Sequence, residues 1–359
     1  MAKPRSELEN RVREQRARRG WSQDDLARRA GLSRAGVSAL ETGRLVPSTS
    51  AALSLAQAFG LRVEDLFSLL RRTPEGAPWA WPPPTTPCRY WQAEVNGQTR
   101  LYPAEATSLG VVPHDGVAQS VDAANAALGA GEPIDPSVTL VMACCDPAVG
   151  LLAASLAQSA GVRLLALSRS SRTALELLGQ GLAHVAGVHL GGSHDGDDNA
   201  AAVRAALGPG FSLLRAATWE EGVAYGPARH LGSVGEALSS SLRWVGRETG
   251  SGARQCLDEL LGDHRPPRRL ANDHRGVAAA IRGGWADAGV CLRLAGEEAG
   301  LGFLPVRQEP YDLCFPETLR ADPRIQALIM AVRSAPYRRL LGELPGYDSR
   351  ETGEIRRVL

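Results

Sequence analysis

The chain has 359 residues, with 40 Lys and Arg against 39 Asp and Glu, 44% hydrophobic residues and six cysteines. This length suggests two or three domains, and the composition excludes collagen-like, coiled-coil and wholly disordered classes. The sequence has a charged beginning and no uncharged apolar run of about 18 residues. We therefore expect a cytoplasmic protein without a membrane span or a secretory signal.

The charge is unevenly distributed along the chain. Residues 1–72 carry 14 basic and 8 acidic side chains, a net of +6, whereas the remainder carries 26 and 31, a net of −5. A small basic N-terminal unit joined to a larger acidic one suggests an anionic partner for the first, although ordinary charge scatter gives the same pattern. The cysteines show no C-x-x-C spacing, so we expect reduced, mostly buried thiols, no metal site and no cofactor; a redox role for the neighbouring Cys144 and Cys145 stays open.

The first seventy residues predict a bundle of short helices. A first amphipathic helix begins at Leu8 and ends near Gly20. Ser22 is a typical N-cap for the next helix, and Ser33 caps a third that follows the tight turn at Gly31. A helix over residues 49–59 and a last short helix over residues 63–70 complete the unit. Two short helices joined by a glycine-containing turn form a helix-turn-helix.

The run W-S-Q-D-D-L-A-R-R-A-G-L-S-R-A-G-V-S-A-L-E-T-G-R-L-V-P-S, residues 21–48, closely resembles the phage-repressor family of Cro/C1 or XRE-type helix-turn-helix regulators. The resemblance implies a homodimer that binds double-stranded operator DNA at two half-sites about one helical turn apart. The family's contacts to the DNA backbone correspond to Gln23 and Arg44. Its contacts to base edges correspond to Arg34, Ala35 and Ser38, on the helix that Ser33 caps. Glu41 reads better as an internal pairing residue than as a base contact. A bundle that docks protein instead of DNA is the alternative.

Residues 73–90 form a Pro/Trp-rich linker between the basic unit and the rest of the chain. Six prolines lie between residues 71 and 87, with Trp79 and Trp81 among them. So many prolines exclude a helix and predict an extended, semi-rigid spacer. The two tryptophans either pack on the second domain or belong to a plain tether.

Residues 91–359 read as an α/β domain. A hairpin is predicted around Asn96-Gly97, a type I′ turn signal. Apolar strands over residues 137–143, 162–167 and 183–190 alternate with helices, which indicates a parallel sheet whose ligands lie beyond the carboxyl ends of the strands. Three such ends stand out, at residues 145–147, 168–171 and 247–252.

Five segments match, in order, the type II periplasmic-binding-protein superfamily and, within it, resemble molybdate- and tungstate-binding proteins. They are H-V-A-G-V-H-L (184–190), R-E-T-G-S-G-A-R (247–254), V-A-A-A-I-R-G-G-W-A-D-A-G-V (277–290), G-L-G-F-L-P-V-R-Q-E-P-Y-D-L (300–313) and G-Y-D-S-R-E-T-G-E-I (346–355). The resemblance implies two α/β lobes that close on a ligand, with the second lobe at about residues 213–305.

The candidate ligand residues lie on the loops at the strand ends. In the second lobe they are Thr249, Gly250, Ser251 and Gly252, which form a nest for an anion at a helix start. In the first lobe they are Ser168, Ser170 and Ser171, with Asp146. Tyr311 is expected to close over the ligand.

Several further candidate residues leave alternatives open. Asp146 either caps its helix or faces the cleft, where a carboxylate would favour a ligand with hydroxyl or amino donors over molybdate. Arg247 or Arg254 adds positive charge, unless Arg254 forms an ion pair within its lobe. His184 and His189 flank a strand, and Asp273, His274 and Asp287 fall where the second lobe faces the cleft; all are expected to be packing residues more often than ligand contacts.

Three functions are consistent with these patterns. The first is a one-component transcriptional regulator, by default a repressor, whose two-lobed domain senses an oxyanion such as molybdate or tungstate, or an organic metabolite. The second is a cytosolic enzyme, which we do not expect because the sequence offers no catalytic residue set of persuasive spacing. The third is an accessory protein of molybdenum metabolism whose N-terminal unit binds protein.

Overall fold

The computed structural model describes residues 8–69, 77–107, 109–121, 127–128, 134–190, 198–262 and 267–359. The chain divides into two compact units, Met1–Glu75 and Gly76–Leu359. The first is an all-α helix-turn-helix bundle with a two-stranded ribbon, and the second is a two-lobed α/β unit. Among the described residues, no helix is long and apolar enough to cross a membrane. The first part of the predicted linker, residues 73–76, lies outside the described residues.

The first unit packs short helices around one apolar core. They are α1 (Val12–Arg18), α2 (Gln23–Ala30), α3 (Arg34–Glu41), α4 (Thr49–Phe59) and α5 (Val63–Leu66). The predicted caps are confirmed, because Ser22 accepts from the amide of Asp25 and Ser33 from the amide of Gly36. Gly31 ends α2 in the left-handed conformation, with φ of 66°. The core residues include Val12, Leu26, Val37, Leu40, Leu55 and Phe59.

Two of the predicted helix boundaries in this unit are wrong. The first helix begins at Val12 and not at Leu8, because β1 (Leu8–Asn10) is a strand. The last helix ends at Leu66, because β2 (Phe67–Leu69) pairs antiparallel with β1. The ribbon joins the two ends of the unit, and long-range pairing of this kind overrides the local helical pattern.

The second unit begins with residues that pack on a small antiparallel sheet. Its strands are β3 (Cys88–Val95), β4 (Gln98–Pro103), β5 (Gly116–Ala118) and β6 (Ala127–Leu128). The predicted turn is confirmed, because Asn96 and Gly97 both have positive φ angles, 53° and 71°. Trp79 donates its Nε1 proton to the carbonyl of Val121 and forms a bridge with Leu101. Trp81 meets Tyr102 edge to face, so both tryptophans pack on this unit.

The first lobe is the predicted parallel sheet flanked by helices. Its strands are β7 (Thr139–Cys144), β8 (Arg163–Ser168) and β9 (Val185–Val188), and β7 lies in parallel between the other two. The helices are α6 (Val149–Ala160), α7 (Ser171–Gly179) and α8 (Asp198–Leu207). Two apolar clusters fill the two faces of this sheet, one of them against the helices of the C-terminal region.

Two long strands connect the lobes. They are β10 (Phe211–Tyr225) and β14 (Gly302–Pro316), which pair antiparallel over their whole length with register shifts at Arg215/Ala217 and Glu221/Gly222. One end of this pair joins β9 in the first lobe and the other joins β13 in the second. The middle of the pair therefore lies where the two lobes meet.

The second lobe lies between these two strands in the sequence, and the C-terminal region returns to the first lobe. The second-lobe elements are α9 (Val234–Ser239), β11 (Trp244–Arg247), α10 (Gly252–Leu261), β12 (Leu270–Ala271), α11 (His274–Arg282), β13 (Ala288–Leu292) and α12 (Arg293–Glu298). The C-terminal elements are α13 (Pro323–Arg333), α14 (Ala335–Gly342), β15 (Tyr347–Asp348) and β16 (Ile355–Val358). Both β15 and β16 pair with β10, which anchors the C-terminal region to the connecting strands.

Candidate nucleic-acid interface and ligand cleft

The exposed start of α3 is the candidate nucleic-acid interface. Arg34 has 69% of its side chain exposed, and Ser33 and Ala35 beside it are also exposed, whereas Ser38 one turn further on is half-buried. The nearest acidic group is the carboxylate of Asp24, 3.7 Å from Nε of Arg34. An exposed pair at this distance is weak, so Arg34 is available to an external partner.

Two other predicted DNA contacts have partners within the unit. Gln23 donates a hydrogen bond to Glu41 (2.9 Å), and Glu41 also receives Arg16 at 2.5 Å. Glu41 is therefore the internal pairing residue that its position predicted. Arg44 is exposed, and its Nε donates a hydrogen bond to the hydroxyl of Thr42. Of these two residues, Arg44 has its side chain open to solvent, whereas the side-chain amide of Gln23 is bonded to Glu41.

Polar side chains from both lobes meet at the carboxyl ends of the strands. Cys145 follows β7 and His189 follows β9 in the first lobe, while Arg247 ends β11 and His274 begins α11 in the second. All four are at least 98% buried. The lobes touch here, since the amide of Arg172 bonds the carbonyl of Gly250 at 3.3 Å.

His189 lies at the centre of this cluster. Its Nε2 is 3.0 Å from Sγ of Cys145, and its Nδ1 is 3.0 Å from the carboxylate of Glu309. Burial opposes a charge on His189, but the thiol on one side and the carboxylate on the other raise the pKa of His189 well above its ordinary value. A cysteine, a histidine and a carboxylate thus form one continuous hydrogen-bonded chain.

Charged residues of the connecting strands enclose the cluster from one side. Arg307 forms ion pairs with Glu221 (3.0 Å) and Glu309 (2.5 Å), and both carboxylates are almost fully buried. Burial and the neighbouring carboxylate of Glu309 raise the pKa of Glu221 to about 7. Trp219 stacks on Tyr311 at 4.1 Å and meets His189 edge to face at 5.0 Å.

Five of these side chains have buried polar atoms without a hydrogen bond among the residues that the structure describes. They are Nη1 of Arg247, both ring nitrogens of His274, Nε1 of Trp219, and Oε1 of Glu221 and of Glu309, the last of which forms an ion pair with Arg307. Nε and Nη2 of Arg247 each donate a hydrogen bond of 3.1 Å to the carboxylate of Glu248. Burial, followed by the charges of Arg247 and His189, lowers the pKa of His274 well below its ordinary value. Buried donors without partners cost about 1–3 kcal/mol each, so such a group of them indicates a place reserved for a ligand.

The predicted loop of the second lobe borders this cluster. Ser251 caps α10 by accepting from the amide of Arg254, and its hydroxyl donates to the carbonyl of Glu248. Thr249 is exposed, and Gly250 has a φ of 95°. Gly252 packs so closely that a Cβ there would lie 2.4 Å from the carbonyl oxygen of His189. Glycine at this position is therefore required for the two lobes to approach.

The predicted residues of the first lobe have mainly internal partners. Asp146 accepts hydrogen bonds from the amide of Ala148 (2.8 Å) and from the hydroxyl of Tyr347 (2.7 Å). The first of these bonds is the role at the start of the helix that the sequence allowed. Burial raises the pKa of Asp146, although both of these hydrogen bonds act to lower it.

Each predicted serine of this lobe, and Tyr311, has a distinct place. Ser170 bonds Thr173, and Ser171 accepts from the amide of His189, while Ser168 is half-buried at the end of β8. Tyr311 is 2% exposed and packs under Trp219, so the structure does not place it over the cleft.

Sequence reasoning missed the cluster as a unit. The sequence pattern marks His189 and His274 singly, and it does not single out Glu221, Arg307 and Glu309 on the connecting strands. The sequence does contain one signal of the cluster: charged residues lie within two strands whose other residues are typical of buried strands.

Two family models match this chain, one in each unit. The family model described as a PBP superfamily domain matches residues 153–333, and that of a helix-turn-helix domain matches residues 7–70. The uncharacterized protein YvgK of Bacillus subtilis is 28% identical over 186 residues, 49% of this chain and 60% of that protein, so less than two thirds of that relative is covered. The uncharacterized HTH-type transcriptional regulator YgzD of the same organism is 44% identical over 62 residues, 17% of this chain and 94% of that protein. Among solved structures, an ABC-type phosphate transport receptor from Vibrio cholerae has a TM-score of 0.42 and 13% identity, covering 58% of this chain and 98% of that chain.

Proposed function

Because the chain belongs to the PBP superfamily through residues 153–333 and carries a helix-turn-helix domain, we propose that it is a DNA-binding regulator that senses a small anion. The anion binds between the lobes of the second unit, and its binding changes the affinity of the first unit for an operator. The observation that carries this proposal is the buried guanidinium of Arg247, whose Nη1 faces no partner among the described residues.

The donors around Arg247 favour an oxyanion or a carboxylate. The indole N–H of Trp219 and an N–H of His274 are neutral donors, and the guanidinium supplies the charge. A turn over residues 248–251, which contains Gly250, leads from Arg247 to the start of α10 at Gly252. Helix starts and such turns bind anions through their backbone N–H groups. Molybdate and tungstate are members of this ligand class, and a carboxylated metabolite is the alternative.

Lobe closure provides the coupling that a sensor needs. A ligand shifts an equilibrium only by its difference in affinity for two states. The proposed anion contacts come from the second lobe and from β10, and the first lobe encloses them through His189, which meets Trp219 at 5.0 Å and lies against Gly252. The enclosed site therefore exists only when the lobes are closed. We propose repression as the default action and a homodimer on two half-sites, with Arg34, Ala35 and Ser38 on base edges and Gln23, Ser33 and Arg44 near the DNA backbone.

A thermal-shift series with the full chain tests the anion. The panel contains molybdate, tungstate, sulfate and phosphate, with a pterin and a neutral sugar for comparison. An anion at 100-fold its dissociation constant should stabilise the protein by about 2.7 kcal/mol. Arg247→Gln should lose this stabilisation, whereas Arg254→Gln is the matched control, because Arg254 pairs with Asp258 at 2.8 Å. A shift with the sugar alone would contradict the anion proposal.

A second measurement tests the regulator itself. Genomic operator selection followed by fluorescence anisotropy should give an affinity that depends on both sequence and salt, and that changes when the stabilising anion is added. Binding that is equal on all sequences would contradict the regulator proposal. It would leave the accessory-protein alternative, in which the first unit contacts another protein.

A further inference from the structure

The cleft also contains a set of metal-ligating side chains. Cys145, His189 and His274 each offer one ligand atom, and these atoms all lie within 4.8 Å of one another in buried residues. We propose that this Cys–His–His cluster binds a transition-metal ion of intermediate softness, for which Zn²⁺ is the reference case. Such a site goes beyond the proposed function, since it concerns a cation and requires neither DNA nor the anion.

The donor set matches the preferences of these metals. Thiolate and imidazole ligands select Zn²⁺ and related late first-row ions over Mg²⁺ and Ca²⁺, which prefer oxygen. With Zn–S near 2.3 Å and Zn–N near 2.0 Å, a tetrahedral site separates sulfur and nitrogen by about 3.5 Å. Sγ of Cys145 and Nε2 of His189 are now 3.0 Å apart and share a proton. Replacing that proton by a metal therefore requires the two atoms to separate by only about half an ångström.

The surroundings support ligation in two ways. Nδ1 of His189 bonds the carboxylate of Glu309, and a ligating histidine ordinarily has such a partner on its second nitrogen. His274 is fully buried with both ring nitrogens unpartnered among the described residues, and its ring centre lies 5.6 Å from that of His189. A metal ion would satisfy one of these nitrogens, whereas an ordinary packing histidine has its hydrogen bonds in place.

The position of the cluster links the metal to lobe closure. Cys145 and His189 belong to the first lobe and His274 to the second, so one ion would join the two lobes. Three protein ligands leave a fourth coordination position open. Since Arg247 is near enough to interact electrostatically with Cys145, an anion in that position would lie between two positive charges. Metal and anion should therefore strengthen each other's binding, and by the same factor.

Titration of the metal-free full chain with Co²⁺, followed by competition with Zn²⁺, tests this site without DNA or an added anion. We expect one ion per chain, a thiolate-to-cobalt charge-transfer band in the near ultraviolet and the strong visible bands of a tetrahedral ion. Cys145→Ser should abolish the charge-transfer band. Glu309→Gln should weaken Zn²⁺ binding by about 10–100-fold, as expected for loss of the carboxylate behind a ligating histidine.

Two variants and one reagent decide among the outcomes. Cys144→Ala is the matched control, because Cys144 is adjacent in sequence but lies outside the cluster; it should keep the band. His274→Gln should lose high-affinity binding while retaining the wild-type circular dichroism spectrum. Binding that survives Cys145→Ser, or the absence of any band in the wild type, would overturn the metal site. Rapid alkylation of Cys145 that depends on His189, without metal binding, would likewise overturn it and would indicate a nucleophilic cysteine instead. The anion tests with Arg247 are made on the metal-free chain, so failure of the metal site does not change their outcome.

Discussion

Replacement of Arg247 by methionine should stabilise the ligand-free protein. The side chain is 1% exposed, and within the described part of the chain its guanidinium donates hydrogen bonds only to Glu248, whose own side chain is 37% exposed. A buried charged donor without a partner costs about 1–3 kcal/mol or more. Replacing a buried ion pair by a well-packed apolar side chain often stabilises by about 1–4 kcal/mol. Since Glu248 can turn to solvent, we expect Arg247→Met to raise the free energy of unfolding by about 1–3 kcal/mol.

A second buried arginine is the matched control. Arg215 is 7% exposed and bonds Asp312 at 2.7 Å and Glu351. Asp312 is itself buried, with 1% of its side chain exposed, so Arg215→Met leaves a buried carboxylate without its main counter-charge. That change should destabilise the protein by about 3–5 kcal/mol. The same substitution at two buried arginines is thus expected to have opposite signs.

Differential scanning calorimetry of the full chain, following the transition of the larger unit, measures both effects. A gain of about 1 kcal/mol raises the midpoint of a large domain by about 2–4 °C. Arg247→Met should raise it by a few degrees and should also remove the stabilisation that the effective anion of the panel gives to the wild type. If Arg247→Met destabilises as much as Arg215→Met, Arg247 is a structural residue, and the reasoning from its unpartnered atom is refuted.

Three further predictions concern closure, pH and DNA. Gly252→Ala should prevent full lobe closure, because its Cβ would lie 2.4 Å from the carbonyl oxygen of His189, and small-angle scattering should therefore give a larger radius of gyration. Gly246→Ala is the control: the nearest neighbours of its Cβ would lie at 3.5 Å, so its radius of gyration should equal that of the wild type. Burial, with the charge of Arg324 nearby, lowers the pKa of His184 from 6.5 to about 4. As the pH falls below 6.5, the unfolded chain therefore takes up a proton on this histidine that the folded protein does not, and the free energy of unfolding should fall by about 3 kcal/mol by pH 4. Urea unfolding at several pH values measures this slope, which His184→Gln should flatten. Arg34→Ala should cost about 1–3 kcal/mol of discrimination at one base pair in anisotropy titrations over operator variants, and an equal loss on every sequence would contradict base readout.

The fold could be read from the sequence wherever local signals and burial agree. The caps at Ser22 and Ser33, the Asn96-Gly97 turn and the parallel strands of the first lobe are all local patterns, and the structure has each of them. The strand at Leu8–Asn10 was missed, because it depends on pairing with residues about sixty positions away. No local pattern encodes such a partner.

The candidate site was only partly accessible for the same reason. The sequence located the loop at residues 247–252 and the ends of the strands, since those positions follow from strand order. It could not bring His189, Glu309 and His274 together, because these residues come from one lobe, a connecting strand and the other lobe. The long strand β14 places Glu309 beside His189, and its pairing with β10 contains two shifts of register that no local pattern predicts.

The cluster is costly to the ligand-free protein, which explains how binding could be coupled to shape. Buried groups that lack partners destabilise the closed arrangement in which they are enclosed, while the lobe contacts at Gly250 and Gly252 favour it. A ligand that supplies the missing partners removes the cost only in the closed arrangement. The part of the binding free energy that comes from removing this cost at Arg247 and His274 therefore differs between the open and closed states, as a population shift requires. Filling the site with apolar side chains should instead favour closure without ligand, and so uncouple the sensor from its effector.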